Sequence, residues 1–321
     1  MLCILLINSL CVSSVGASFY GSKQAFGMQF EAIYQFGDSL SDTGNYIRER
    51  TGSHSTYKGL PYGQAYHPSG RASDGLLMID FIAMYFHLPL LNPYLATGSD
   101  FTHGADFAVV GATANGGYNS LARQLAWFRS HLNSTFSNDP IAKTIKEVSK
   151  LVPGVVKTIK DAVEEVIRLG ANNIVVPGNF PIGCVPLYLV KFATNDRSKY
   201  DNLQCLKDYN TFSSCNYNTR CGHCLCRLLF GFDFGHYVRF HLGIEKDGTK
   251  KACCGSGSNP YNYGTLGCGK RGSPVCADPS KRLNWDGVHM TQHGNRCVAA
   301  FLLKQFLPAL QYYTRRHRRH H

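Results

Sequence analysis

Residues 30–36 are apolar and aromatic, alternate imperfectly, and run straight into Gly37-Asp38-Ser39, a pattern that predicts a buried strand ending in a turn. A polar loop rich in Gly, Ser and Tyr extends from there to about Gly70. From Asp74 onward, Leu76, Leu77, Ile79, Phe81, Ile82, Met84, Tyr85 and Phe86 predict a buried helix that stops before Pro89. Residues 106–110 read as a second short strand, with Gly111 just beyond it. Ile141, Ile145, Val148, Leu151, Val155, Ile159, Val163, Val166 and Ile167 recur at helical spacing, with Pro153 as a break or kink. Gly170 closes that helix, and residues 173–176 form the next strand, stopped by Pro177-Gly178. Residues 202–231 are rich in Cys and Asn without a period, residues 251–279 are loop-like, and residues 297–307 predict an apolar closing helix. Helix followed by strand is the rhythm of an α/β fold with a largely parallel sheet, and neither a repeat nor a linker divides it.

Composition narrows the class. With 321 residues, 44% hydrophobic and 17% charged, the chain is globular, which excludes disordered, collagenous and coiled-coil proteins. The net charge of +12 would suggest an acidic partner if it were clustered on a folded surface. Arg315, Arg316, Arg318 and Arg319 fall in residues 314–321, expected as a basic disordered tail, so the excess does not point to nucleic acid. Thirteen Cys indicate an oxidising compartment, and the odd number means that they cannot all pair within one chain.

Residues 1–17 are uncharged, apolar from 2 to 10, and carry Val15 and Ala17 at the small-residue positions of a cleavage site. They predict a signal peptide removed after Ala17, although the positive n-region is missing; a buried first helix is the alternative. No other run approaches the roughly 18 apolar residues that a membrane span needs. Asn133-Ser134-Thr135 is a glycosylation sequon in a chain that enters the secretory pathway.

In an α/β sheet, reactive groups collect on the loops at the carboxyl ends of the strands, which is where Ser39 falls. A serine becomes a nucleophile when a base takes its proton and donors hold the developing oxyanion. Asp286-Gly287-Val288-His289 offers the base, because an Asp three residues before a His can fix the imidazole and leave its other nitrogen for Ser39. Gly111 could bring a backbone N–H close to a substrate, since no side chain blocks the approach. Gly-Asp-Ser is by itself a common turn, and Asp-x-x-His a common surface pair or cap; the signal lies in their combination at strand ends, in the order Ser, Asp, His.

These residues match a family. Residues 36–45, Phe-Gly-Asp-Ser-Leu-Ser-Asp-Thr-Gly-Asn, resemble the nucleophile block of plant GDSL-type esterase/lipases in the SGNH hydrolase superfamily. FAVVGATA (107–114), VVPGNFPIGC (175–184), KACCG (251–255) and NWDGVHMT (284–291) look like successive family blocks in the right order. The resemblance implies a secreted, single-domain (residues 18–313), three-layer α/β/α flavodoxin-like hydrolase acting on carboxylic esters. By matched position it assigns Ser39 as nucleophile, Ser39 and Gly111 as backbone oxyanion-hole donors, and Asp286 and His289 as the remaining triad members. It implies a small-molecule or lipid ester substrate and requires no metal or organic cofactor.

Two departures stand out. The family carries a Gly-x-Asn-Asp block on a central strand, whose Asn is a third oxyanion donor, and between Trp127 and Ile141 neither that motif nor an apolar strand is found. Asn138-Asp139 is the Asn-Asp pair nearby, without the preceding glycines or the strand. Residues 212–240, where the family has a helix and then a strand, instead hold Cys215, Cys221, Cys224 and Cys226. Zinc needs a second ligand pair that is absent; the remaining readings are a disulfide-bearing loop or a segment of an imperfect gene model, which the abrupt return of the family pattern favours. Cys253, Cys254, Cys268 and Cys276 are disulfide candidates with three possible pairings. Arg71 to Gly75 falls where the family has a similar block and is read as structural. The expected function is a secreted serine esterase/lipase; the rival is a catalytically impaired or inactive relative with at most ligand binding.

Overall fold

A computed structural model of the protein describes residues 3–8, 30–67, 69–133, 145–169, 171, 173–176, 181–213, 243–245 and 247–317. Among the described residues four strands make one sheet: β1 (Cys3–Asn8), β2 (Ala32–Gly37), β3 (Gly104–Asp106) and β4 (Asn173–Val175), in the order β3-β2-β1-β4. β2 and β3 are parallel, and β1 is antiparallel to both β2 and β4. Three of the four strands therefore run the same way, as an α/β fold requires, and the exception is the N-terminal segment. Residues 3–8 of the leader-like stretch thus supply the strand between β2 and β4, with Leu6 opposite both Tyr34 and Ile174, where the alternative reading had a helix.

The α-helices among the described residues are α1 (Met78–Tyr85), α2 (Leu121–Asn133), α3 (Ile145–Arg168), α4 (Pro186–Lys191), α5 (Lys207–Ser213) and α6 (Gln292–His317). Alternation along the strands sorts them into two layers. Ile33 and Val175 join a core with Met78, Ile79 and Ile82 of α1 and Val298, Leu302 and Phe306 of α6. Their neighbours Phe36 and Ile174 face the other side and pack with Leu121, Leu125 and Phe128 of α2 and Ala162, Val163 and Val166 of α3. The result is an α/β/α arrangement with an apolar core on each face of the sheet.

Several elements differ from the periodicity reading. Helix α3 passes through Pro153 without a break. α2 carries too many polar residues for its apolar face to stand out in sequence, yet that face is buried. The closing helix begins five residues before Cys297, and it continues through residues 314–317 of the basic segment. Gly170, Pro177-Gly178, Asn138 and the cysteines at 215, 221, 224 and 226 lie outside the described residues.

Among the described residues there are three disulfides, Cys184–Cys205, Cys253–Cys276 and Cys254–Cys268, which settles the pairing of the four later cysteines. Cys297 is a buried free thiol, and burial pushes its pKa up to about 11. Arg71 and Asp80 form a buried two-pronged ion pair, Nε to Oδ2 and Nη2 to Oδ1, both at 2.8 Å. That pair fastens the loop before α1 onto the helix. Among the described residues no helix is long and apolar enough to cross a membrane.

Candidate active site

The β2 strand ends at Gly37, and the chain turns at once. The Asp38 carbonyl accepts from the Ser41 and Asp42 amides, both at 3.0 Å, while its carboxylate accepts from the Leu40 amide. These bonds fold residues 38–42 into a tight turn that carries Ser39 beyond the strand end. Gln124 of α2 clamps the last strand residue, accepting from the Gly37 amide at 2.9 Å and donating to its carbonyl at 2.8 Å. The position of Ser39 is thus set by the sheet and by a helix of the adjacent layer.

Opposite, Asp286 caps its own turn. Its Oδ1 accepts from the amides of Val288 (3.0 Å) and His289 (2.8 Å), which wraps the chain around Gly287. Gly287 has φ +91°, and a Cβ there would collide with the Tyr263 ring, so both conformation and space call for glycine. His289 Nδ1 lies 2.7 Å from Asp286 Oδ2, and His289 Nε2 lies 2.8 Å from Ser39 Oγ. The structure therefore brings Ser39, His289 and Asp286, which are 250 and 3 residues apart in the chain, into one hydrogen-bonded line.

Electrostatics follow from that line. Burial opposes the charge on Asp286, but the charge and hydrogen bonds of His289 and the Tyr62 hydroxyl outweigh it, and its pKa falls to about 2. Burial likewise opposes the imidazolium, yet the charge and hydrogen bond of the Asp286 carboxylate, with a lesser contribution from the Asp38 charge, raise the His289 pKa above its ordinary value. The pair favours Asp as carboxylate and strengthens His as a base.

Gly111 sits on the neighbouring chain segment. Phe107 donates to the Gln35 carbonyl and Val109 to the Gly37 carbonyl, extending the parallel pairing of β3 with β2. Ser39 and Gly111 each lie two residues past the last of these pairs, at one sheet edge. Gly111 adopts φ +76°, and the space its Cβ would occupy is open. Among the described residues neither the Ser39 nor the Gly111 amide meets an acceptor.

Asp42 joins the two loops. Its carboxylate accepts from the amides of Gly44, Asn45 and Tyr46 on its own turn and from Val110, the residue before Gly111, at 2.9 Å. Burial outweighs these four donors and raises its pKa to about 6. Asp106 is also fully buried and accepts from Thr43 and Ala108; burial and the Asp42 charge raise its pKa. Neither carboxylate, nor Gln124 or Tyr62, was singled out from sequence. The available signal for Gln124 was a polar residue on the apolar face of an amphipathic segment; for Asp42, an acidic residue three positions beyond the serine.

The cysteine-rich loops support the Asp286 turn. Cys253 donates to the Asn284 carbonyl at 3.0 Å and Cys254 to the Trp285 carbonyl at 2.6 Å. Both cysteines are disulfide-bonded, and they pack with Tyr62 and Trp285 in a small buried cluster. Leu187 of α4 donates to the Gly287 carbonyl, so the turn is held from two sides. Asn133, the sequon residue, ends α2. No group of three metal-ligating side chains occurs among the described residues.

The sequence model of the GDSL-like lipase/acylhydrolase family matches residues 33–302, and the chain belongs to that family. It is 36% identical to acetylajmalan esterase of Rauvolfia serpentina, over 91% of this chain and 90% of the relative. A GDSL esterase/lipase of Arabidopsis thaliana is 35% identical over 88% of each chain. The alignment with the Rauvolfia enzyme spans 352 positions, more than the 321 residues of this chain, so the relative contains segments without a counterpart here.

Proposed function

We propose that the protein is a secreted serine esterase that hydrolyses carboxylic esters through an acyl-enzyme on Ser39. The observation that carries this reading is the hydrogen-bonded line from Ser39 Oγ through His289 to Asp286, located where β2 ends. In this mechanism Ser39 Oγ attacks the ester carbonyl carbon while His289 Nε2 takes the hydroxyl proton. The tetrahedral oxyanion is held by the Ser39 and Gly111 amides. Collapse expels the alcohol, which leaves with the proton returned by His289. Water then attacks the acyl carbon while His289 takes one of its protons, and His289 returns that proton to Ser39 Oγ as the acid leaves. Asp286 keeps the imidazole oriented and stabilises its cationic form. Family membership and the name of the Rauvolfia relative support a small acyl ester or lipid ester as substrate.

The test is hydrolysis of p-nitrophenyl acetate by the full chain and by Ser39→Ala, His289→Ala and Asp286→Ala. Each substitution is expected to lower kcat/KM by about a thousandfold or more. Wild-type turnover at the level of the variants would reject the reading. A specific observation favours a second reading, a ligand-binding relative without turnover: the family's Gly-x-Asn-Asp block is not found in the sequence. Loss of one oxyanion donor slows turnover by about a hundredfold to a thousandfold, so a slow enzyme is expected here. Well-folded protein that binds ester analogues but never acylates would establish the binding protein instead.

A further inference from the structure

Tyr62 lies in the polar loop that follows the serine turn, 224 residues from Asp286 in sequence, yet its hydroxyl donates to Asp286 Oδ2 at 2.7 Å. That oxygen also faces His289 Nδ1, while Oδ1 receives the two backbone amides of the turn. The carboxylate thus has four donors, matching its four lone-pair directions, and needs no water. The tyrosine ring is 3% exposed and wedged edge-on against Tyr57 (centroids 4.8 Å apart) and Trp285 (6.2 Å). Tyr57 in turn stands edge-on to the His289 ring at 5.8 Å. An aromatic wall therefore fixes where the hydroxyl points.

We propose that Tyr62 is a positioning residue for the Ser39-His289-Asp286 line, sharing the charge of Asp286 Oδ2 with the imidazole and locking the carboxylate in the plane that His289 requires. This rests on the triad reading above. A carboxylate with one donor missing in a dry site can rotate about its bond to Cβ, and its charge then falls more heavily on the imidazole. Tyr62 remains a donor throughout the working range, because burial and the nearby Asp286 charge raise its pKa. The other titratable groups facing the pair are Tyr57 and Tyr263 toward Asp286 and Asp38 toward His289. Among the described residues neither the Tyr57 nor the Tyr263 hydroxyl bonds Asp286, whereas the Tyr62 hydroxyl does.

The experiment measures the rate of fluorophosphonate labelling against pH for the full chain and for Tyr62→Phe, which keeps the ring packing. Wild type is expected to label. Tyr62→Phe is expected to label about tenfold more slowly at its plateau, with the acidic limb moved upward by about half a pH unit, because the unshared carboxylate holds the imidazolium more tightly. In an Asp286→Ala background the same substitution should cost less than about twofold, since the acceptor is gone. An unmoved limb, or an equal loss in both backgrounds, overturns the proposal and assigns Tyr62 to packing alone. Wild type that does not label removes the triad reading, and this inference with it, which is a distinct outcome. The bond is also testable without substitution. The unaltered protein should give a nuclear Overhauser contact between the Tyr62 hydroxyl and His289 Nδ1 protons, and a resolved pair without that contact rejects it.

Discussion

His289 couples a hydrogen-bond distance to a pH dependence. In the proposed mechanism it takes a proton only when neutral, so activity should rise with pH through its pKa, and the Asp286 carboxylate moves that pKa upward. The acidic limb of kcat/KM is therefore expected above about pH 6.5, the ordinary imidazole value. A limb centred near 5 would contradict the Asp286–His289 coupling. Asp42 matters at the same scale. Four amides converge on its two oxygens, and an amide side chain would turn an NH2 toward two of them. Asp42→Asn is expected to destabilise the protein by about 2–4 kcal/mol at pH 7 and to slow labelling, by loosening the segment before Gly111. Chemical denaturation measures the first effect and probe kinetics the second; an unchanged midpoint would show that the amides find other partners.

At the scale of elements, the two nested disulfides act on the Asp286 turn through the amides of Cys253 and Cys254. Replacing Cys254 and Cys268 by Ser opens a loop with a sequence separation of 14. A cost of about 3 kcal/mol is expected, together with slower labelling, because the Trp285 carbonyl loses a rigid donor. Normal kinetics in a destabilised variant would confine the disulfide to stability. The same scale explains what was legible in sequence. β2 with its Gly-Asp-Ser turn and the Asp-x-x-His turn are local: a strand pattern, a turn chemistry and a three-residue spacing encode them. Gln124, Tyr62 and the Val110 contact of Asp42 act across 87, 224 and 68 residues, and no local period carries such distances. α2 escaped notice because its polar face diluted the apolar stripe, whereas α3 was recognisable despite Pro153 because its apolar positions recur over many turns.

For the molecule as a whole, the N-terminal segment bears on both export and stability. Residues 3–8 lie between β2 and β4 in the sheet, and cleavage after Ala17 would remove them. The proposal of secretion predicts that exported protein begins at Ser18 and melts at a lower temperature than the uncleaved 321-residue chain, because β2 and β4 lose a shared partner. N-terminal sequencing and a melting comparison check both points; exported protein beginning at Met1 would reject cleavage. Buried ionisable groups set the pH dependence of folding. Asp42, Asp106 and His289 all have raised pKa values, so their stabilising contribution is present at acid pH and is lost as pH rises through those values. Asp286, lowered to about 2, works the other way but only as pH falls below the carboxylate range. The melting temperature is therefore expected to be higher at pH 5 than at pH 8, and the reverse order would contradict the assigned directions.

The proposed mechanism stands on Ser39 being an activated nucleophile. Intact-mass and peptide mass spectrometry of the full chain after exposure to a fluorophosphonate probe tests it most directly. A single adduct is expected on the peptide containing Ser39, absent in Ser39→Ala and strongly reduced in His289→Ala. Folded protein that carries no adduct, or carries it on another serine, would contradict it.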